Sequence, residues 1–262
     1  MKKVTAGLCA LAAMLMLAAG CGSDAKKDAA PAKADTKKVL TVGTNPSFAP
    51  FEFTDKQDGK MMGFDIDLMN ALAKKAGYEK VEFKSIPFDG LIPSLEGGNI
   101  DAIITGMSIT DARKQKVNFT EPYYESGLMA IVGKNNDSIK GLEDLKGKTI
   151  AVQIGTIGAD EAHKIEGATV KTFDSSDLAC LELKNGGADA VISDLPVLQY
   201  FLKQGGSEYA KSVGTPKKGD FYGIAVGKKD TATLDKLNKA LAEMKKDGEY
   251  QKIYDKWFTV AK

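Results

Sequence analysis

Histidine and cysteine are almost missing from this chain of 262 residues: His163 stands alone, and the cysteines are Cys9, Cys21 and Cys180. So thin an inventory supports neither a zinc site, which draws mostly on those two residue types, nor a disulfide framework. No metal or other cofactor is implied. A surplus of one charge is missing too: 36 Lys and Arg face 35 Asp and Glu, which argues against the basic footprint of a nucleic-acid binder. No Ser/His/Asp or Cys/His set can be assembled around the lone His163, so an enzyme is not expected. The one long apolar run, Val4 to Ala19, falls short of the about 20 residues that cross a bilayer. What remains is ordinary globular composition, 43% hydrophobic and 27% charged, in a length that suits one large domain or two smaller ones.

The N-terminus reads as an address. Lys2 and Lys3 precede the apolar run, and no charge returns until Asp24, the pattern of a secretory signal. Leu17-Ala18-Ala19-Gly20-Cys21 resembles the lipobox of bacterial lipoproteins, which implies removal of residues 1–20 and lipidation of Cys21. The plainer alternative is ordinary small-residue cleavage with Cys21 left free. Loss of Lys2 and Lys3 brings the formal charge from +1 to −1. From Gly22 to Lys38 there is no aromatic residue and no Leu, Ile or Val, so residues 21–38 are expected to be a flexible tether. Coil scaling gives it a reach of about 20–25 Å.

From Val39 onward, short β-like runs alternate with helical ones. Strands are expected at Val39–Val42, Val81–Phe83, Ile100–Thr105, Thr149–Gln153, Val170–Phe173, Ala188–Ser193 and Tyr222–Val226. Helices are expected at Phe64–Ala76, Asp89–Leu95, Ser176–Lys184, Leu195–Lys203, about Thr231–Lys246 and Glu249–Phe258. Such alternation predicts α/β layers with mainly parallel sheets. Cys180 falls in an apolar helical pattern and reads as a buried structural thiol.

An internal repeat sharpens this. Leu95-Glu96-Gly97-Gly98-Asn99-Ile100-Asp101-Ala102-Ile103-Ile104-Thr105 returns 88 positions later as Leu183-Lys184-Asn185-Gly186-Gly187-Ala188-Asp189-Ala190-Val191-Ile192-Ser193. Each copy is a helix end, a glycine turn, a buried strand and a polar exit. Lys38–Thr44 is echoed by the run from Lys148 to Val152 and on to Thr156. Two related α/β lobes follow, with a cleft between them. Ligands of open α/β sheets bind beyond the carboxyl ends of strands, which directs attention to Thr44-Asn45, Thr105 to Ser108, Gln153 to Thr156 and Ser193-Asp194.

Motifs in fixed order carry a resemblance over residues 36–260. They are Pro50-Phe51-Glu52-Phe53, Gly63-Phe64-Asp65-Ile66-Asp67-Leu68, Phe88-Asp89-Gly90-Leu91, Gly106-Met107-Ser108-Ile109-Thr110-Asp111-Ala112-Arg113, Phe119-Thr120-Glu121-Pro122-Tyr123-Tyr124 and Tyr254-Asp255-Lys256-Trp257-Phe258. The chain resembles the polar amino-acid-binding proteins of bacterial ABC importers, extracellular solute-binding family 3, and among them the glutamine-binding members most. The resemblance implies a two-lobed periplasmic-binding-protein fold of type II, with two hinge crossovers. Lobe 1 is expected at 39–125 plus 223–262 and lobe 2 at 126–222. It also implies an exported monomer, held by lipidated Cys21 on the outer face of the cytoplasmic membrane or facing the periplasm, which passes a free polar L-amino acid to a membrane permease.

Site residues follow from the same resemblance. By itself Arg113 reads as a surface arginine, but its guanidinium fork suits a carboxylate, and the family implies that it clamps the substrate α-carboxylate. By itself Asp194 reads as a helix N-cap, whereas the family implies that it receives the α-ammonium. Thr156 and the Ile157 amide are implied to join Arg113, with the Gly106 carbonyl and the Ser108 hydroxyl as further partners. Phe48 and Phe88 are implied to sandwich the substrate side chain. Asn45 stands where cation-binding relatives carry an acid. Gln153 and Ser193 stand where glutamine binders carry lysine and histidine, and Glu52 is expected to supply negative charge if it reaches the pocket. Glutamine is the favoured ligand. Cystine, a basic amino acid, a ligand-presenting sensor module and a cyclohexadienyl-dehydratase-like enzyme are the alternatives.

Overall fold

The computed structural model describes residues 38–259. The signal segment, Cys21 and the expected tether up to residue 37 lie outside the described residues. In chain order the strands are β1 (Val39–Thr44), β2 (Ser47–Phe48), β3 (Glu52–Thr54), β4 (Met61–Met62), β5 (Lys80–Ser85), β6 (Ala102–Ile103), β7 (Val117–Phe119), β8 (Tyr124–Gly133), β9 (Thr149–Gln153), β10 (Thr169–Phe173), β11 (Ala190–Asp194), β12 (Ala210–Tyr222) and β13 (Ala225–Gly227). The α-helices are α1 (Phe64–Lys75), α2 (Leu91–Glu96), α3 (Asp111–Lys116), α4 (Ile157–His163), α5 (Ser176–Lys184), α6 (Leu195–Lys203), α7 (Thr231–Asp247) and α8 (Glu249–Phe258).

Two five-stranded sheets organise the chain, in the orders β5-β1-β6-β13-β7 and β10-β9-β11-β8-β12. Each centres a lobe. Each is mainly parallel, as expected, with one strand, β13 or β8, running against the other four. In the first, β1 pairs parallel with β5 and β6, while β13 runs antiparallel to β6 and β7. In the second, β9 pairs parallel with β10 and β11, while β8 runs antiparallel to β11 and β12. The strand–helix alternation accounts for the parallel strands. In the second sheet the long strand β8 is the reversed one, and β12, antiparallel to β8, runs with β9, β10 and β11. The expected strand Tyr222–Val226 divides: Tyr222 ends β12 in the second sheet, and Ala225 starts β13 in the first.

The sequence repeat has one physical meaning in both lobes. Asp101 accepts the Thr41 amide at 2.8 Å while its own amide donates to the Thr41 carbonyl at 2.7 Å. Asp189 does the same with Thr149, at 2.8 Å in both directions. Gly98 and Gly186 turn the chain between helix and strand with φ of 71° and 75°, a left-handed backbone that glycine adopts at little cost. Each Asp thus locks the start of β6 or β11 against the strand beside it.

Core packing explains the remaining order. The buried face of α1, with Leu68, Met69 and Leu72, meets Leu237, Leu241 and Met244 of α7. Trp257 of α8 donates its indole N–H to Asp67 at 2.8 Å. The second lobe has its own apolar clusters on the two faces of its sheet, one holding Cys180. Burial pushes the Cys180 thiol up to about 12, which leaves it inert at neutral pH.

Candidate functional site

The exits of β1, β6, β9 and β11 converge where the lobes face each other. Arg113, on the short helix α3, donates from Nη1 to the Ser108 carbonyl at 2.7 Å and from Nη2 to the Gly155 carbonyl at 3.0 Å. The second bond crosses from one lobe to the other. Its guanidinium carbon stands 5.3 Å from the centre of the Phe88 ring, a cation–π arrangement. A second bridge crosses nearby: Gln153 donates to Asn45 Oδ1 at 3.0 Å and to the Asp174 carbonyl at 3.1 Å. Asn45 Oδ1 also accepts from Ser47 at 2.7 Å, and its Nδ2 donates to the Ile86 carbonyl at 3.2 Å. Ser176 donates to Gln153 Oε1 at 3.1 Å and lies 3.4 Å from Ser193. This end of the cleft is therefore lined by amides, hydroxyls and carbonyls.

Phe48 packs over Gly106, whose φ is +54° and where an added Cβ would stand 2.7 Å from the Phe48 ring. Glycine permits both the turn and the contact. Ser108 bridges to Tyr222, and Ile109 N donates to the Phe221 carbonyl at 2.8 Å, so the loop after β6 is held by the end of β12. Asp194 ends β11 and is 4% exposed. Its side chain makes no capping bond to α6, unlike the N-cap role that the residue suggests by itself. It faces Asp220 and Tyr222 instead; the Tyr222 hydroxyl donates to Ser126 at 3.0 Å, and Asp194 Oδ1 receives no donor. Burial, then Asp220, raises its pKa well above the usual carboxylate range, while Tyr222 and Arg113 pull the other way. The Arg113 pKa is lowered by burial against the favourable charges of Asp220, Asp160 and Asp194.

Two expected roles change. Glu52 is 0% exposed and does not line the cleft. Its Oε1 accepts from Thr105 at 2.7 Å, beneath the loop that carries Gly106. Its neighbour there is a second buried acid, Asp65; burial, then Asp65, raises the Glu52 pKa well above the usual carboxylate range. The Thr156 hydroxyl donates to the Gln153 carbonyl at 2.8 Å and accepts the Ala159 amide at 3.2 Å as the cap of α4. Its hydroxyl is committed to local structure, and Ile157 follows as the first residue of α4.

Sequence reasoning missed Asp220. The pairing of β12 with β8 shifts register between Lys218 and Asp220, and Gly219 in between has φ of 95°. A bulge re-aims the residues beside it. Lys217-Lys218-Gly219-Asp220 looks like an exposed turn in the sequence, so nothing there signals a carboxyl turned toward Asp194. No group of three or more His, Cys, Asp or Glu residues able to hold a metal occurs among the described residues.

Comparison with known proteins adds a context to this geometry. The profile of the family described as bacterial extracellular solute-binding proteins, family 3, matches residues 40–260. A protein of Neisseria gonorrhoeae named "Probable histidine-binding protein" is 40% identical over 263 residues, covering 98% of this chain and 96% of its own length. Two solved structures of an ancestral arginine-binding protein are also similar. The one bound to arginine is 50% identical with a TM-score of 0.82, covering 85% of this chain and 99% of its own. The one bound to glutamine is 49% identical with a TM-score of 0.79, covering 86% and 99%.

Proposed function

The chain belongs to the bacterial extracellular solute-binding proteins of family 3, and from that premise we propose that it captures one free polar L-amino acid between its lobes and delivers it to the membrane permease of an ABC importer. The observation that carries this reading is the position of Arg113 and Asp194 on opposite sides of one cleft, close enough for each charge to favour the other. An amino acid leaving water must have both charged ends paired, since an unpaired buried charge is very costly. Arg113 serves the carboxylate, with the amide of Ile157 and Ser108 beside it. Asp194 and the Gly106 carbonyl serve the ammonium. Phe48 and Phe88 flank the side chain. The lobes are assigned to 39–125 with 223–262, and to 126–222. Ligand bridging them shifts the population toward a closed form.

For the side chain, glutamine suits the lining best. Asn45 and Gln153 offer neutral donors and acceptors, which match a carboxamide. Arginine is the second reading. It is favoured by the arginine- and histidine-binding relatives and by the carbonyls of Ile86 and Asp174 beside Asn45 Oδ1, acceptors for a guanidinium that need no carboxylate. The lipobox-like run before Cys21 supports anchoring to the membrane, which raises the local concentration at a permease.

A thermal-shift panel of the common L-amino acids and cystine, followed by calorimetry, tests the assignment. A ligand present at about 100 times its Kd stabilises by about 2.7 kcal/mol. Glutamine or arginine giving the largest rise in Tm supports the reading. A flat panel overturns it.

A further inference from the structure

We propose that Asp220 is a second carboxyl of the ammonium subsite, that it shares one proton with Asp194, and that arrival of the substrate ammonium expels that proton to solvent. The inference rests on the amino-acid-binding reading above and deepens it. Asp194 and Asp220 reach each other from the two strands that flank β8, opposite Leu128 and Ser126 respectively. Each carboxyl acts directly on the other across β8. Asp194 Oδ1 and Asp220 Oδ2 are buried and receive no N–H or hydroxyl donor. Two facing carboxyls, each with a buried oxygen that no donor reaches, are accommodated when they hold one proton between them.

Other charges around the pair come from several elements. Arg113 of α3 faces both acids. Tyr222 of β12 and Glu52 of β3 reach Asp194, and Asp160 of α4 acts on Arg113. Lys217 and Lys218 of β12 and Glu125 of β8 are exposed. Burial raises both carboxyls of the pair above their ordinary range, the direction that retains a proton.

The exchange balances. The protonated pair carries one negative charge. An incoming ammonium supplies the positive charge that lets both carboxyls ionise, its N–H groups take the place of the shared O–H, and the proton passes to buffer. Arg113 meanwhile receives the substrate carboxylate. Affinity should therefore rise with pH, by up to about tenfold per unit while a full proton is released, and level off above the titration of the pair. Asp220 is a positioning residue for Asp194 as well as a charge.

Calorimetry in two buffers of different ionisation enthalpy, phosphate and imidazole near neutral pH, reads the proton directly. The probes are L-glutamine, L-arginine, L-lysine and L-histidine. Wild-type protein is expected to release about one proton per ligand at the acid end of the titration. Asp220→Asn is expected to bind more weakly and to lose most of that release, and subtracting its value from wild type removes any proton that belongs to the ligand. Asp220→Ser serves if the first variant does not fold, and the wild-type measurement stands without either. Measurable binding with buffer-independent heat overturns the proposal alone, as does a variant that releases as many protons as wild type. Binding of none of the four probes, together with a flat thermal-shift panel of the common L-amino acids and cystine, overturns the amino-acid reading and this inference with it.

Discussion

Each lobe holds a pair of carboxyl groups, and the two pairs find their partners in different ways. In the first lobe Glu52 and Asp65 are both 0% exposed. Their donors are local: Thr105 reaches Glu52 Oε1 at 2.7 Å, and the Gly106 amide and the Tyr123 hydroxyl each reach Asp65 Oδ2 at 2.8 Å. In the second lobe Asp220 is only partly buried. It is served by Ser108, which follows a strand of the first lobe, and faces Arg113. The chemistry is the same, and the source of the partners differs. A pair whose donors all come from one lobe fixes a loop, here the turn at Gly106. A pair that draws its partners across a lobe boundary stays available to a ligand, because its surroundings change when the lobes move.

The comparison can be broken from either side. Arg113→Ala strikes the second pair and should cause the largest effect, a loss of ligand affinity of about 2–5 kcal/mol, tens- to thousands-fold by calorimetry. Near-unchanged affinity would remove Arg113 from the site. Asp65→Ala strikes the first pair and leaves two buried donors without their acceptor. A stability loss of about 2–4 kcal/mol is expected in denaturant unfolding, and a loss below 1 kcal/mol would show that the pair does not hold the loop. Gly106→Ala puts a Cβ against Phe48 and should cost about 1–3 kcal/mol of ligand affinity or stability. Wild-type affinity and Tm together would dismiss that contact. Asn45→Asp should raise affinity for arginine and lysine over glutamine by roughly tenfold, and an unchanged ratio in competition binding removes Asn45 from specificity.

The smallest effect sharpens the sign of the first pair. Burial, as the leading cause, raises Asp65 from 3.8 to about 6. A carboxyl raised in the folded state contributes stability that is full below its unfolded pKa and disappears as pH rises through the folded one. Tm should accordingly decline between about pH 4 and pH 6. Glu52→Gln, which no longer needs a shared proton, should make the decline shallower. A slope equal to wild type would place the titration elsewhere.

The legibility of the molecule follows from how far each feature reaches along the chain. Helices α5, α6 and α8 and strand β9 coincide with their expected spans because their patterns are local: apolar spacing, a Ser175 cap on α5, Pro196 in the first turn of α6. Asp101 and Asp189 announce themselves because they occupy the same place in the repeat, just after the glycine turn, and each meets a threonine, Thr41 or Thr149, on the neighbouring strand. The short strand β6 is overestimated as Ile100–Thr105, since buried apolar residues continue past the last ladder bond. Glu52 and Asp220 mislead in opposite directions. The first is an acid in a matched motif that turns inward toward Asp65, and the second is an acid in a lysine–glycine run that a bulge turns toward Asp194.

Residue order alone was enough to set two α/β units, their glycine turns and the polar strand exits, because periodicity, turn chemistry and a repeat act over a few neighbours. Which exits meet, which acids find each other and which side chains are spent on holding a loop depended on the strand ends of two sheets being brought together. Asp194 and Asp220 are 26 positions apart in the chain and share their surroundings through the strand that runs between them, a proximity that strand pairing creates and that no local pattern encodes.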